Sequence, residues 1–220
     1  MIKYLAIIPA RKKSKRLKNK NIIKIRNKIL FDYTLTAAKK SLKVSAIAIT
    51  TDIKLLLKKD NKRTTYIKRP LELSLDHCST ESAILHCLAY LKKKKIPDPE
   101  NIILLQPTSP YRNSKDIDES INFFENGKFD SLFSAYNDKL SIWKKNNNKY
   151  SPITYNLKKR KREQDSKPLI VENGAIYIFN YRKFLKHKVR LFEKIGCFFM
   201  NKKNSLEIDD KFDLYLAKKI

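Results

Sequence analysis

Glycine is scarce in this chain: Gly127, Gly174 and Gly196 are the only three in 220 residues. Glycines so far apart cannot form a G-x-G-x-x-G or a G-x-x-x-x-G-K-[ST] loop, so the familiar glycine-rich phosphate cradles are excluded. Cysteine is equally rare. Cys78, Cys87 and Cys197 cannot all pair, and none has a C-x-x-C or zinc-ligand spacing, which points to a reduced, cytoplasmic compartment. Long apolar runs are also missing. The run Tyr4–Ala10 is too short for a secretory core with its cleavage site, and no stretch approaches the roughly 20 residues of a membrane span, so no membrane partner is expected. Acidic residues are few as well, 22 against 49 Lys and Arg, giving a formal net charge of +27.

Such a charge directs attention to anionic partners. Part of it is diffuse, because Lys and Asn are over-used everywhere, as in Lys92–Lys95 and Asn146–Asn148. The densest concentration is not diffuse. From Arg11 to Lys28, ten residues are Lys or Arg, and the first acid in the chain is Asp32. A hydrophobic content of 42% supports a packed core, and the length suits one domain, residues 1–220, carrying an added arm.

Apolar runs of strand length alternate with stretches of helical period, the pattern of an α/β domain with a doubly wound, mainly parallel sheet. Strands are expected at Tyr4–Ile8, Ala46–Thr50, Thr64–Ile67, Ile102–Leu105, Leu132–Ala135, Ala175–Phe179 and Cys197–Met200. The clearest helices are Leu30–Lys39, Thr80–Lys92 after a Ser79 cap, Asp116–Asn126 after Asn113 or Ser114, and a last one from about Asp210. The exception is Asn137–Leu169, which is polar, has no clear period and includes the cluster Lys158–Arg162. A stretch that long inside a compact domain reads as an arm or a lid.

In an open parallel sheet, ligands bind beyond the carboxyl ends of the strands, so the loops leaving the strands are the places to search. Three of them carry unusual residues. The first is Ala10–Asn21, ARKKSKRLKNKN. The second is Gln106–Arg112, QPTSPYR, whose prolines fix the backbone and whose polar side chains are expected to face outward. The third is Ser205–Asp210, in which Glu207 and Asp209 share one face of an extended segment and can reach one hard cation. Together they suit a nucleoside triphosphate with Mg²⁺, cations against phosphates and carboxylates on the metal. An E-x-D before a helix also serves as a cap.

The ordered motifs Ala10-Arg11-x-x-Ser14-Lys15, Lys20-Asn21, Thr51-Asp52, Arg69-Pro70-x-Glu72-Leu73, Gln106-Pro107-Thr108-Ser109-Pro110-x-Arg112, Glu172-Asn173-Gly174-Ala175-Ile176-Tyr177 and Ile208-Asp209 run through nearly the whole chain. In this order the sequence strongly resembles the acylneuraminate cytidylyltransferases, the CMP-sialic acid synthetases. The resemblance implies a Rossmann-like nucleotidyltransferase fold with a protruding dimerisation arm at 137–169. It also implies transfer of CMP from CTP to the anomeric hydroxyl of a nine-carbon 2-keto sugar acid, with Mg²⁺ as cofactor.

By the same resemblance, Arg11, Ser14, Lys15, Lys20 and Asn21 wrap the nucleotide, with Arg11 and Lys20 on the phosphates. Arg69 and Thr80 lie near cytosine and ribose. Gln106, Thr108 and Gln164 contact the sugar acid, and Asp209, with Glu207, binds the metal. Family members are usually homodimers whose arm crosses to the neighbouring site.

Lys12 and Lys13 stand where the family has glycines, a strain of roughly 1–2 kcal/mol if either needs positive φ. Glu207 replaces an aspartate, and Glu163 stands where relatives often carry a second arginine. Legionaminate, pseudaminate and 3-deoxy-octulosonate are alternative acceptors. A basic nucleic-acid-binding domain is the alternative of another class, but it calls for aromatics on a charged face. Here they sit mostly inside apolar runs, so no nucleic-acid partner is expected.

Overall fold

The structure, a computed structural model, describes residues 1–220, the side chain of Glu163 excepted. Eleven strands and five α-helices follow in the order β1 (Ile2–Ala10), β2 (Lys24–Ile25), β3 (Lys28–Ile29), α1 (Leu30–Lys40), β4 (Ala46–Thr51), β5 (Thr64–Lys68), α2 (Thr80–Lys93), β6 (Pro99–Leu105), α3 (Ser114–Asn126), β7 (Ser131–Asp138), β8 (Trp143–Asn146), β9 (Lys149–Pro152), β10 (Leu169–Asn180), α4 (Tyr181–His187), β11 (Ile195–Phe199) and α5 (Lys211–Lys219). All seven strands expected from the sequence join one sheet, ordered β11-β7-β10-β6-β1-β4-β5. It is mainly parallel. Only β10 runs against its neighbours, β6 and β7.

Side chains on β1 alternate between two layers, the period of two that a strand buried on both faces requires. Tyr4, Ala6 and Ile8 pack with Phe31 and Leu35 of α1 and with Ile117, Ile121 and Phe124 of α3. Leu5 and Ile7 face the other way, against Ile84, Cys87, Leu88 and Leu91 of α2 and Phe184 of α4. The sheet is therefore doubly wound. A third, smaller cluster joins Leu17, Ile25, Leu30, Ile208 and Ala217, and so packs the basic loop against the segment leading into α5.

Helix starts follow local hydrogen-bonding chemistry. Ser79 Oγ accepts from Ser82 N ahead of α2. Asn113 with Asp116, and Asp210 with Asp213, form reciprocal capping boxes before α3 and α5. Asp210 is thus a cap rather than the first helical residue. Among the described residues, no helix is long and apolar enough to cross a membrane.

The chain leaves β1 toward β4 and β5 on one side and returns to β6 on the other, pairing Leu5 with Ala46 and with Ile102. The strand order switches at β1, and the crevice between the carboxyl ends of β1 and β6 is where such sheets receive ligands. The loops ARKKSKRLKNKN and QPTSPYR border it.

Two expectations are corrected. The stretch Asn137–Leu169 is not without period: β7 extends to Asp138, β10 begins at Leu169, and β8 and β9 form an antiparallel hairpin between them. Asn147 and Asn148, which turn that hairpin, both have positive φ (42° and 63°), the conformation a tight two-residue turn demands and asparagine tolerates. The supposed strain at Lys12 and Lys13 is also absent, because neither is among the residues with positive φ. The left-handed residue of that loop is Asn19, φ 56°. Backbone N–H of Lys12 instead donates to Asp52 Oδ1 at 2.7 Å, tying the loop to the end of β4.

Candidate active site

The QPTSPYR loop does not present its polar groups to solvent as expected. Thr108, Ser109 and Arg112 are buried, and Arg112 is only 1% exposed. Its Nη1 donates to the carbonyls of Gln106 (3.1 Å) and Ala175 (2.8 Å), and Nη2 to Thr34 Oγ1 at 2.6 Å. Burial pushes its pKa down to about 9. The guanidinium works from behind the loop. Through both Nη groups it fixes Gln106, the β10 bulge and helix α1 relative to one another, while its buried Nε has no hydrogen-bond partner among the described residues.

The acidic segment is set by the same neighbourhood. Gly174, at φ 65°, lies in the irregular stretch of β10 between Glu172 and Tyr177. Beside it Asn173, buried, accepts from Ser134 Oγ at 2.6 Å and donates to Ser205 Oγ at 2.8 Å. Ile208 N then donates to Thr108 O at 2.8 Å while the Ile208 side chain is fully buried. Burying that side chain is worth about 1.5–3 kcal/mol. With Ile208 turned inward, alternation puts Glu207 and Asp209 on the opposite side, facing the crevice.

A cavity of about 240 Å³ occupies the crevice, and Arg11, Lys20, Asn21, Arg69, Thr80, Gln106, Thr108, Glu207 and Asp209 all line it. Ser14 and Lys15 line an adjoining basin of about 250 Å³, which shares Arg11, Lys20 and Asp209 with the first. Gln164 lies in neither. It sits in the arm, where its carbonyl accepts from Lys139 Nζ at 3.1 Å, so one chain does not bring it to the other residues. The side chain of Glu163 lies outside the described residues.

Within the crevice, some of these residues are structural supports. Asn21 Nδ2 donates to the Arg11 carbonyl at 2.8 Å and closes the basic loop. Arg69, buried, donates through Nε and Nη2 to Thr50 (3.2 and 2.8 Å), and burial lowers its pKa. Others carry the charge. Lys20 Nζ meets Asp209 Oδ1 at 2.8 Å, Arg16 Nη2 meets Asp209 Oδ2 at 2.5 Å, and Arg11 Nη1 meets Asp76 Oδ1 at 3.0 Å. No sequence motif marks Arg16 or Asp76 for this pairing. Sixty-five positions separate Arg11 from Asp76, and only the closing of the sheet brings them together.

The two carboxylates are in opposite electrical situations. Burial works against the Asp209 carboxylate, but the hydrogen bond and charge of Lys20, with Arg16 behind them, outweigh it and hold its pKa below the ordinary value. Glu207 is raised by burial first and by the charge of Asp209 second; the hydrogen bond from Thr108 Oγ1 at 3.0 Å opposes this only in part. Two hard oxygen donors sharing one cavity, one of them only partly relieved by Thr108, Lys20 and Arg16, are a donor set that fits a small divalent cation. Among the described residues, no group of three or more His, Cys, Asp or Glu gathers as a metal cluster, so any ion here would keep other ligands, water or substrate. His77, His86 and His187 do not line the cavity.

Residues 5–219 match the family model described as cytidylyltransferase. The chain belongs to the cytidylyltransferase family. It is 32% identical over 226 residues to an N-acylneuraminate cytidylyltransferase from Escherichia coli, an alignment covering 98% of this chain and 51% of that relative. It is 29% identical over 230 residues to the CMP-N,N'-diacetyllegionaminic acid synthase of Legionella pneumophila, covering 100% of this chain and 96% of that one. This family member therefore spans about half the length of the N-acylneuraminate cytidylyltransferases it matches. Among solved structures, a CMP:2-keto-3-deoxy-manno-octonic acid synthetase complexed with CTP shares its fold, with a TM-score of 0.65, 16% identity, and coverage of 99% of this chain and 100% of that one.

The raised pKa of Glu207 has a pH signature. A folded-state pKa raised above the usual 4.5 means that the protonated form favours folding, so stability is lost as pH rises through the raised value. Glu207→Gln, which keeps an acceptor for Thr108, should raise the melting temperature at pH 7. The difference from the parent should disappear below about pH 4. Thermal unfolding at the two pH values checks this, and an equal difference at both would contradict it.

Proposed function

We propose that this family member transfers CMP from CTP to the anomeric hydroxyl of a nine-carbon 2-keto sugar acid, releasing pyrophosphate. The observation that carries the reading is the crevice at the strand-order switch, where Arg11, Lys20, Glu207 and Asp209 line one cavity. Cations for phosphates and carboxylates for a metal are both required there, and the names of the relatives agree with such a reaction.

In this reading Arg11 and Lys20 leave their carboxylate partners for the phosphates, forming charge-assisted bonds, while Ser14 and Lys15 meet the outer phosphates in the adjoining basin. Asn21 keeps the loop closed around them. Arg69, held by Thr50, and Thr80, at the first turn of α2, border the base and ribose. Gln106 and Thr108 hold the sugar acid so that its hydroxyl lies in line with the α-phosphorus. Positioning and charge neutralisation lower the barrier, and no covalent enzyme intermediate is needed. Asp209 and Glu207 would hold Mg²⁺, which supplies Lewis-acid polarisation of phosphate oxygens when bound.

Gln164 reaches a sugar acid only from a second copy of the chain. The arm that carries it exposes Trp143, Tyr150, Ile153 and Leu157, apolar surface that packing on another protomer would cover. The functional unit in this reading is a homodimer with the arm crossing between sites. The names of the relatives at 32% and 29% identity support a nine-carbon acceptor of the sialic acid type, with a legionaminate-type acid as the alternative.

Pyrophosphate release from CTP and Mg²⁺, with a panel of 2-keto sugar acids, tests the reading. CTP should be used well ahead of ATP and GTP, and Asp209→Asn should reduce turnover at least about 100-fold while the protein still binds CTP. Equal use of all triphosphates, or near-native turnover by Asp209→Asn at saturating Mg²⁺, would sink it. Deleting Tyr150–Lys161 should give a folded, inactive monomer by light scattering. An active monomer would show the arm to be only a surface insertion.

A further inference from the structure

Arg16 pairs with the Asp209 carboxylate, and no part of the reaction described above uses this arginine. Its Nη2 lies 2.5 Å from Asp209 Oδ2, while Lys20 Nζ lies 2.8 Å from Oδ1. Both oxygens of the carboxylate that would bind metal are therefore held by cations. The backbone amide of Asp209 donates to Asp213 Oδ2 at 2.9 Å and adds a tie to the α5 capping box. The two cations are not equivalent. The Lys20 side chain is 13% exposed, whereas that of Arg16, which lines the adjoining basin, is 67% exposed. The pattern repeats at Asp76, which takes Arg11 at 3.0 Å and Lys15 at 3.5 Å.

A divalent ion arriving alone must compete with a guanidinium for Asp209 and settle beside the ammonium of Lys20. A triphosphate changes the balance, because its several negative charges offer the cations better partners and free the carboxylate. We propose that Arg16 competes with the metal for Asp209, so that a divalent cation is admitted only once a nucleotide has drawn Arg16 away. This rests on the nucleotide and metal reading of the crevice. Linkage makes the effect reciprocal: whatever factor nucleotide adds to metal affinity, metal adds to nucleotide affinity. Arg16 is in this sense a positioning residue that orders ligand binding.

Mn²⁺ is the probe, its free concentration followed by electron paramagnetic resonance with the nucleotide-free, full-length protein. Arg16→Ala should tighten Mn²⁺ binding about three- to tenfold, the scale set by losing one partly exposed ion pair and one charge at contact distance. Lys18→Ala removes the same charge from an exposed neighbour that makes no ion pair among the described residues, and should change affinity less than about twofold. Asp209→Asn combined with Arg16→Ala should lose the gain. With CTP saturating, parent and Arg16→Ala should bind Mn²⁺ within about twofold of each other, since Arg16 has then left Asp209 in the parent as well.

An unchanged affinity in Arg16→Ala, an equal gain in Lys18→Ala, or a gain that survives Asp209→Asn would each overturn the proposal. Failure of CTP to bind any of these proteins would overturn the nucleotide reading itself, and with it the release step. The nucleotide-free titration separates that failure from a failure of the competition.

Discussion

One buried guanidinium holds the crevice in shape. Arg112 is almost fully enclosed, yet the oxygens it reaches, on Gln106, Ala175 and Thr34, are all uncharged. A cation in that position is held by the aim of its Nη hydrogen bonds, with the charge of Asp116 opposing the effect of burial in part, so the three elements that supply those oxygens must stay in register. They are the loop after β6, the bulge of β10 and helix α1. From the bulge the constraint passes through Asn173 to Ser205, and from the loop through Thr108 to Glu207 and Ile208. The Glu207–Ile208 segment is thus positioned by buried groups, Arg112, Asn173, Ser205 and Thr108.

The walls of the crevice obey a different rule. Arg11, Lys15, Arg16 and Lys20 are all paired, with Asp76 and Asp209 as their partners. Most of these pairs are partly exposed, and such contacts contribute only about 0–1 kcal/mol each. They are weak enough to be exchanged for stronger phosphate contacts and strong enough to keep the loop from repelling itself. Rigid support beneath and exchangeable ion pairs above suit a site whose ligand is highly charged and must also leave.

Much of this was legible in the sequence, and for identifiable reasons. Apolar runs of strand length marked all seven sheet strands, the motifs ARKKSK and QPTSP marked residues that gather in the crevice, and ENGAIY marked the bulge behind it. What stayed hidden depends on contacts through space. Nothing local says that Arg112 turns inward, since Pro-flanked polar residues read as a surface loop until Ala175 and Thr34 are seen behind it. The pairing of Arg16 with Asp209 spans 193 positions. The hairpin in the arm was a different kind of miss: Asn147 and Asn148 carry a turn signal that the surrounding Lys and Asn excess concealed.

The account holds that the basic loop is tuned to one compact anion in a shaped crevice, although the chain carries a charge of +27 that a nucleic acid could also use. Competition between the two ligand classes tests this most directly. CTP binding with Mg²⁺ should be measured by calorimetry at rising salt, with and without excess single-stranded RNA. The account predicts that CTP binds at physiological salt and is not displaced by the oligonucleotide, whose weak association fades steeply as salt increases. Stoichiometric displacement of CTP by RNA at physiological salt would contradict it.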